Sequence, residues 1–105
     1  MVLDIANKAQ LDNSIAKCLN MLMVIDFNAK WCGPCQEIKP IFSRMENQYP
    51  GVKFAEVDVD KNYEAAEAYG IEAIPTFVFL RNGKKIAQFC GAGETCLRNA
   101  IERLK

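Results

Sequence analysis

Histidine is missing from this chain. Its absence removes cysteine–histidine nucleophilic catalysis, histidine-ligated zinc and histidine-based pH sensing. Net charge is missing too, because 13 Lys and Arg balance 13 Asp and Glu. No electrostatic footprint is left for nucleic acid or for an anionic membrane surface. Long apolar runs are absent as well. Asp26 interrupts the best stretch, Met21 to Phe27, far short of a bilayer span. The N-terminal region carries Asp4, Lys8 and Asp12, with no charge-free apolar segment of the kind a signal peptide needs. The expectation is a cytoplasmic location, where thiols stay reduced and cysteine pairs are catalytic more often than structural. Repeats, linkers and low-complexity tracts are lacking. The length of 105 residues predicts one domain over residues 1–105, large enough for a core without structural disulfides.

What is present is concentrated in Trp31-Cys32-Gly33-Pro34-Cys35, directly after that apolar run. Two cysteines separated by two residues, between a strand and a helix, form a redox motif. A helix start offers unpaired N–H groups and the positive end of a dipole, which favour a thiolate over a thiol. Pro34 suits the first helical turn, where its missing N–H has no intrahelical partner to lose. Downstream, Ile38, Phe42, Met45 and Tyr49 recur at helical spacing and define an inward face. That stripe, followed backwards, reaches Cys35, whereas Cys32 falls at the cap. Cys32 is therefore expected to be the exposed, low-pKa nucleophile, and Cys35 the sheltered sulfur that resolves a mixed disulfide.

Around this motif the chain alternates strands and helices. Val2 to Ile5 reads as a first strand. Asn7 caps a helix through about Asn20, with Leu11, Ile15, Cys18 and Leu22 on one face. Met21 to Phe27 lacks polar alternation, as a central strand covered on both faces should. The helix from Pro34 to about Gln48 contains Pro40, which predicts a kink, and Tyr49-Pro50-Gly51 ends it. Val52 to Val59 follows as a parallel strand reached by a right-handed crossover. Asp60 is the expected cap of a short helix, Lys61 to Tyr69, with Gly70 at its C-terminal turn. Asn82-Gly83 predicts a hairpin joining Thr76–Leu80 to Lys85–Phe89. From about Gly93 a last helix places Leu97, Ala100, Ile101 and Leu104 inward.

Several motifs, in order, resemble the thioredoxin family over essentially the whole chain, and its animal cytosolic branch most. They are Asp26-Phe27 before Ala29, the Trp31-to-Cys35 stretch, Lys39-Pro40, Asp58-Val59-Asp60, Ile74-Pro75-Thr76 and Gly91-Ala92. The resemblance implies an α/β thioredoxin fold, a central mixed sheet of about five strands flanked by about four helices. It implies a protein-disulfide reductase with no bound cofactor, working through a redox-active Cys32–Cys35 disulfide and recycled by an NADPH-dependent thioredoxin reductase. Implied clients include peroxiredoxin, ribonucleotide reductase and methionine sulfoxide reductase. The Gly33-Pro34 pair carries no charge that would favour oxidant behaviour, so a reducing poise is expected, and the dipeptide is not that of a glutaredoxin. One CxxC, no second pair and no histidine argue against a metal site.

The remaining candidates divide between what the residues say and what the resemblance adds. Val24, Ile25 and Phe27 around Asp26 argue for burial, which raises a carboxylate's pKa. The resemblance makes Asp26 the base that deprotonates Cys35. It also makes the Ile74–Pro75 bond cis, lets Ile74 offer backbone groups to a client strand, and completes a shallow groove with Trp31, Gly91 and Ala92. Lys39 either tunes Asp26 or is a solvated helix lysine. Asp58 and Asp60 lie where they can act on neighbouring charges. Cys18 reads as a small buried hydrophobe. Cys90, next to Gly91, is a candidate for regulatory oxidation or intermolecular pairing, where exposure governs susceptibility. Cys96 has no assigned duty. Asn28 departs from many family members, which carry Trp there. A contrasting reading is a redox-gated binding module that uses the same groove in one oxidation state.

Overall fold

The computed structural model describes residues 1–105. In chain order the elements are β1 (Leu3–Asp4), α1 (Lys8–Ala16), β2 (Leu22–Asn28), α2 (Gly33–Gln48), β3 (Val52–Asp58), α3 (Tyr63–Ala68), β4 (Thr76–Arg81), β5 (Lys84–Cys90) and α4 (Glu94–Leu104). The five strands form one sheet in the order β1-β3-β2-β4-β5. β1 and β2 flank β3 in parallel, while β2–β4 and β4–β5 are antiparallel. This is the expected five-stranded mixed sheet with four helices.

β2 is central, and every one of its residues is buried. Alternation along it sends Leu22 and Val24 into a core with Ile38 and Phe42 of α2 and Leu97 of α4. Met23, Ile25 and Phe27 face the other way, against Leu11 of α1 and Ala65 of α3. An apolar run without polar alternation is therefore what a strand between two helical layers requires. Asp26 shares the face of Leu22 and Val24, the one that α2 covers.

α2 runs on through Pro40, which lies on its exposed side. Its missing N–H frees a carbonyl toward solvent rather than into the core. The Asn82-Gly83 turn has φ of 53° and 78°, and it joins β4 to β5 as anticipated. β5 is the sheet's outer strand, and Lys84, Lys85 and Gln88 on it are exposed.

Most boundaries fall within a residue of the sequence expectation; the ends that differ more are the end of α1 and the start of α3, which begins at Tyr63 instead of Lys61. α1 stops at Ala16 instead of about Asn20, and Leu22 belongs to β2 rather than to the helix face. Asn20 takes a left-handed φ of 69°; its N–H donates to Asn82 Oδ1 (2.7 Å) and its carbonyl accepts from the Arg81 guanidinium (3.0 Å). The hairpin thus captures the backbone that would have extended the helix. At α3 the cap is Asn62, not Asp60: Asn62 Oδ1 accepts from the Ala65 N–H at 3.2 Å. Asp60 is engaged elsewhere, as the site shows.

Candidate active site

The site begins where β2 hands the chain to α2. Cys32 is the N-cap of α2, with extended φ and ψ, and its Sγ accepts from the Cys35 N–H at 3.3 Å. Pro34 sits in the first turn, where no N–H is required. The turn is braced from behind, because the Ala29 carbonyl accepts from the Cys32 N–H (3.2 Å) and the Gln36 side-chain amide (3.0 Å). Cys32 and Cys35 are joined as a disulfide, with Cα atoms 5.2 Å apart.

Exposure of the two sulfurs differs less than periodicity suggested. Cys35 is fully buried, and Cys32 is only 6% exposed rather than the open residue expected. Its sulfur packs with Ala29 and Cys35 beneath Ile74, whose carbonyl oxygen lies 3.9 Å away. The exposed member of the motif is its neighbour Trp31, at 72%. The indole is pinned, since its Nε1–H donates to Asp60 Oδ2 at 2.8 Å. Asp60 thus braces the indole, while α3 is capped two residues later, by Asn62.

Ile74–Pro75 is a cis peptide bond. The Pro75 carbonyl accepts from the Gly91 N–H at 2.9 Å, so the end of β5 is tied to the loop that covers the disulfide. Gly91 has φ of 110°, a conformation L side chains rarely adopt. The structure thus gathers Trp31, Cys32, Cys35, Ile74, Pro75 and Gly91. Ala92 is half-buried and packs on the core beneath α4. Beside Trp31 opens a hollow of about 480 Å³, with Val59, Ala66, Ile71 and Ile74 among its apolar lining. Only Trp31 and Ile74 of these were anticipated, Trp31 from the motif and Ile74 from the family resemblance; the others lie on α3 and its flanks, which neither assigned to the groove.

Asp26 is completely buried. Its pKa is pushed up to about 7, chiefly by loss of hydration; the Asn28 side-chain amide opposes the rise, nearby Glu56 adds to it, and Lys39 opposes it. Asn28 Nδ2 donates to Asp26 Oδ2 at 3.3 Å. Lys39 Nζ stands 3.6 Å from Glu56 Oε1, and Glu56 is the β3 residue directly opposite Asp26. Lys39 lies one turn beyond Cys35 on α2, so Asp26 sits under the N-terminal half of that helix. Asp58 accepts from the Asp60 N–H at 2.9 Å and shapes the turn behind Trp31. Of the other cysteines, Cys18 is buried, and Cys90 and Cys96 are exposed free thiols. No three His, Cys, Asp or Glu side chains cluster to hold a metal ion.

A disulfide capping a helix, beside an exposed aromatic and a cis-proline loop, is an arrangement that comparison with known proteins places. The thioredoxin family model matches residues 2–103. A thioredoxin of Geodia cydonium is 44% identical, with both chains fully covered. The X-ray structure of Fasciola hepatica thioredoxin superposes with a TM-score of 0.98 at 45% identity, covering 99% of this chain and 100% of that one. A further similar chain comes from a study of thiol resolution in a yeast mitochondrial 1-Cys peroxiredoxin via glutathione and thioredoxin systems (34% identity, 98% and 95% covered, TM-score 0.90). The chain belongs to the thioredoxin family of protein-disulfide oxidoreductases, with Cys32–Cys35 in the active-site position.

Proposed function

We propose that Cys32 is the nucleophile and Cys35 the resolving thiol of this disulfide reductase. The observation that carries the assignment is the cap: Cys32 Sγ already accepts from the Cys35 N–H at the positive end of α2. The same N–H groups stabilise negative charge on that sulfur in the reduced protein. The Cys32 thiolate attacks one sulfur of a client disulfide, forming a Cys32–client bond as the client S–S bond breaks. The displaced client sulfur leaves as a thiolate and takes a proton from water. Asp26, the buried carboxylate on the face under α2, accepts the Cys35 proton. The Cys35 thiolate then attacks Cys32 Sγ, closing the disulfide and releasing the second client thiolate. Two electrons pass from the cysteine pair to the client.

Trp31, Ile74, Pro75, Gly91 and Ala92 receive the client segment, with backbone groups of Ile74 supplying sequence-tolerant, strand-like contacts. Gly33 and Pro34 keep the turn short enough for the ring to close. An NADPH-dependent thioredoxin reductase returns the pair to the dithiol. Peroxiredoxin is the client best supported, by the peroxiredoxin study that yielded the similar yeast chain; ribonucleotide reductase and methionine sulfoxide reductase follow from the family. The reading includes a single domain and a cytoplasmic site of action, and no helix is long and apolar enough to cross a membrane.

The test is NADPH consumption with a thioredoxin reductase and a disulfide-bonded protein, for the wild type and Cys35→Ser. Steady turnover in the wild type with a trapped Cys32 mixed disulfide in the variant is expected. Equal, negligible turnover in both overturns the reading and favours a redox-gated binding module.

A further inference from the structure

Asn28 puts a small polar amide at the end of β2, a strand that is buried along its whole length. The amide is buried, and it lies two residues from Asp26 on one strand. Residues spaced by two on a strand share a face, so the two side chains meet without any bend in the backbone. Asn28 Nδ2 reaches Asp26 Oδ2 at 3.3 Å. The other oxygen, Oδ1, is buried with no hydrogen-bond partner. Asn28 therefore makes the one side-chain hydrogen bond to this carboxyl, and it makes it to one oxygen only.

An amide N–H gives a stronger hydrogen bond to a carboxylate than to a neutral acid. A donor on Oδ2 also leaves Oδ1 as the atom open to a proton. We propose that Asn28 is a positioning residue for proton exchange at Asp26, holding the carboxyl in its charged form and reserving Oδ1 as the accepting oxygen. The catalytic part of this inference rests on the reading of Asp26 as the base for Cys35.

The other groups facing Asp26 leave this role to Asn28. From β4 the residue opposite is Phe77, which is apolar. From β3 it is Glu56, whose charge disfavours a second carboxylate. From α2, Lys39 favours the carboxylate, but its ammonium is shared with Glu56. Asp58, opposite Asn28 on β3, accepts from the Asp60 N–H. Glu56 and Lys39 act on Asp26 in opposite senses, while the amide acts in direct contact.

The experiment is a ¹³C NMR titration of the Asp26 carboxyl in the wild type and in Asn28→Val and Asn28→Leu, two donor-free side chains suited to a buried strand. It is paired with the pH profile of mixed-disulfide resolution in the same proteins. Loss of one hydrogen bond to a charged group is expected to raise the Asp26 pKa by about one pH unit. The acid limb of the resolution profile moves to higher pH with it. Asn28→Thr, which keeps a donor in the shape of Val, brings both back toward the wild type. A pKa unchanged in whichever donor-free variant folds overturns the inference. A raised pKa with an unmoved resolution profile upholds the hold of Asn28 on Asp26 and overturns the role of Asp26 as base.

Discussion

At the scale of single residues, the buried carboxylate dominates the electrostatics of this protein. Asp26 rises from 3.8 to about 7, so between those values the folded protein binds a proton that the unfolded chain does not. Stability from this group is complete below about pH 4, is lost as pH rises toward 7, and is then absent. The difference corresponds to about 4 kcal/mol at alkaline pH, taking 1.36 kcal/mol for each pH unit between 3.8 and about 7. Asp26→Asn, neutral at every pH, is expected to be more stable than the wild type at pH 8 by up to that amount. It should match the wild type near pH 4. Urea denaturation of the disulfide form at the two pH values checks this; a gap that fails to open between pH 4 and pH 8 counts against it. The burial of Asp26 was legible from Val24, Ile25 and Phe27. Its bond to Asn28 went unread although the signal was there, since positions 26 and 28 share a strand face. The near burial of Cys32 was not legible at all. Helical periodicity shows which way a cap residue faces on its own helix, but not that Ile74, 42 positions later, lies over it.

At the scale of elements, local chemistry set most boundaries, and contacts from distant segments moved the others. Asn7, Pro34, Asn82-Gly83 and Gly93 all stand where their backbone preferences predict. The apolar spacing of α1 continues to Cys18, past the helix's end at Ala16. What stops the helix is the β4–β5 hairpin, whose Arg81 and Asn82 bind the Asn20 backbone. The α3 cap was misplaced by two residues because Asp60 and Asn62 are equally good caps in isolation. In the fold Asn62 caps, while Asp60 receives the Trp31 indole N–H. The hairpin turn is sensitive to a single substitution at its glycine. Gly83 sits at φ of 78°, and a Cβ there would come within 3.4 Å of Ile15 Cγ2. Gly83→Ala is expected to lower stability by about 1–2 kcal/mol, the cost of left-handed backbone for a residue with a side chain. The shift of the urea midpoint measures it, and an unchanged midpoint contradicts the account.

At the scale of the whole molecule, the sheet separates two cores, and the ring stack on the α2–α4 side carries the larger apolar mass. Phe42 meets Phe54 edge-on at 5.0 Å and Phe77 at 5.7 Å, and Phe77 continues to Phe89 at 5.4 Å. Phe42→Ala is expected to cost about 3–5 kcal/mol in stability. Trp31→Ala, although it removes a larger side chain, should leave the midpoint nearly unmoved because the ring lies outside both cores. It should lower kcat/KM toward protein disulfides instead. Denaturation and turnover measured side by side test this division, and a large stability loss in Trp31→Ala would place the indole in the fold rather than in the groove. The alternation of elements, the β2–β3 crossover and the β4–β5 hairpin were legible from pattern. The full strand order was not, because β1 pairs across to β3, and β2 to β4, through contacts no local signal encodes.

That strand order leaves two open margins in a protein whose formal charge is zero. Copies of a neutral molecule do not hold one another off at long range, so the margins themselves must resist adding a neighbour's backbone. β1 is too short to act as a template for further strands, with only two residues. β5 is seven residues long, and Lys84 and Lys85 stand at its start with Gln88 beyond them. A strand added along that edge would have to strip water from these lysines. The outer strand, which ends at Cys90 just before Gly91 of the site, thus carries at its start the charges that disfavour a further strand.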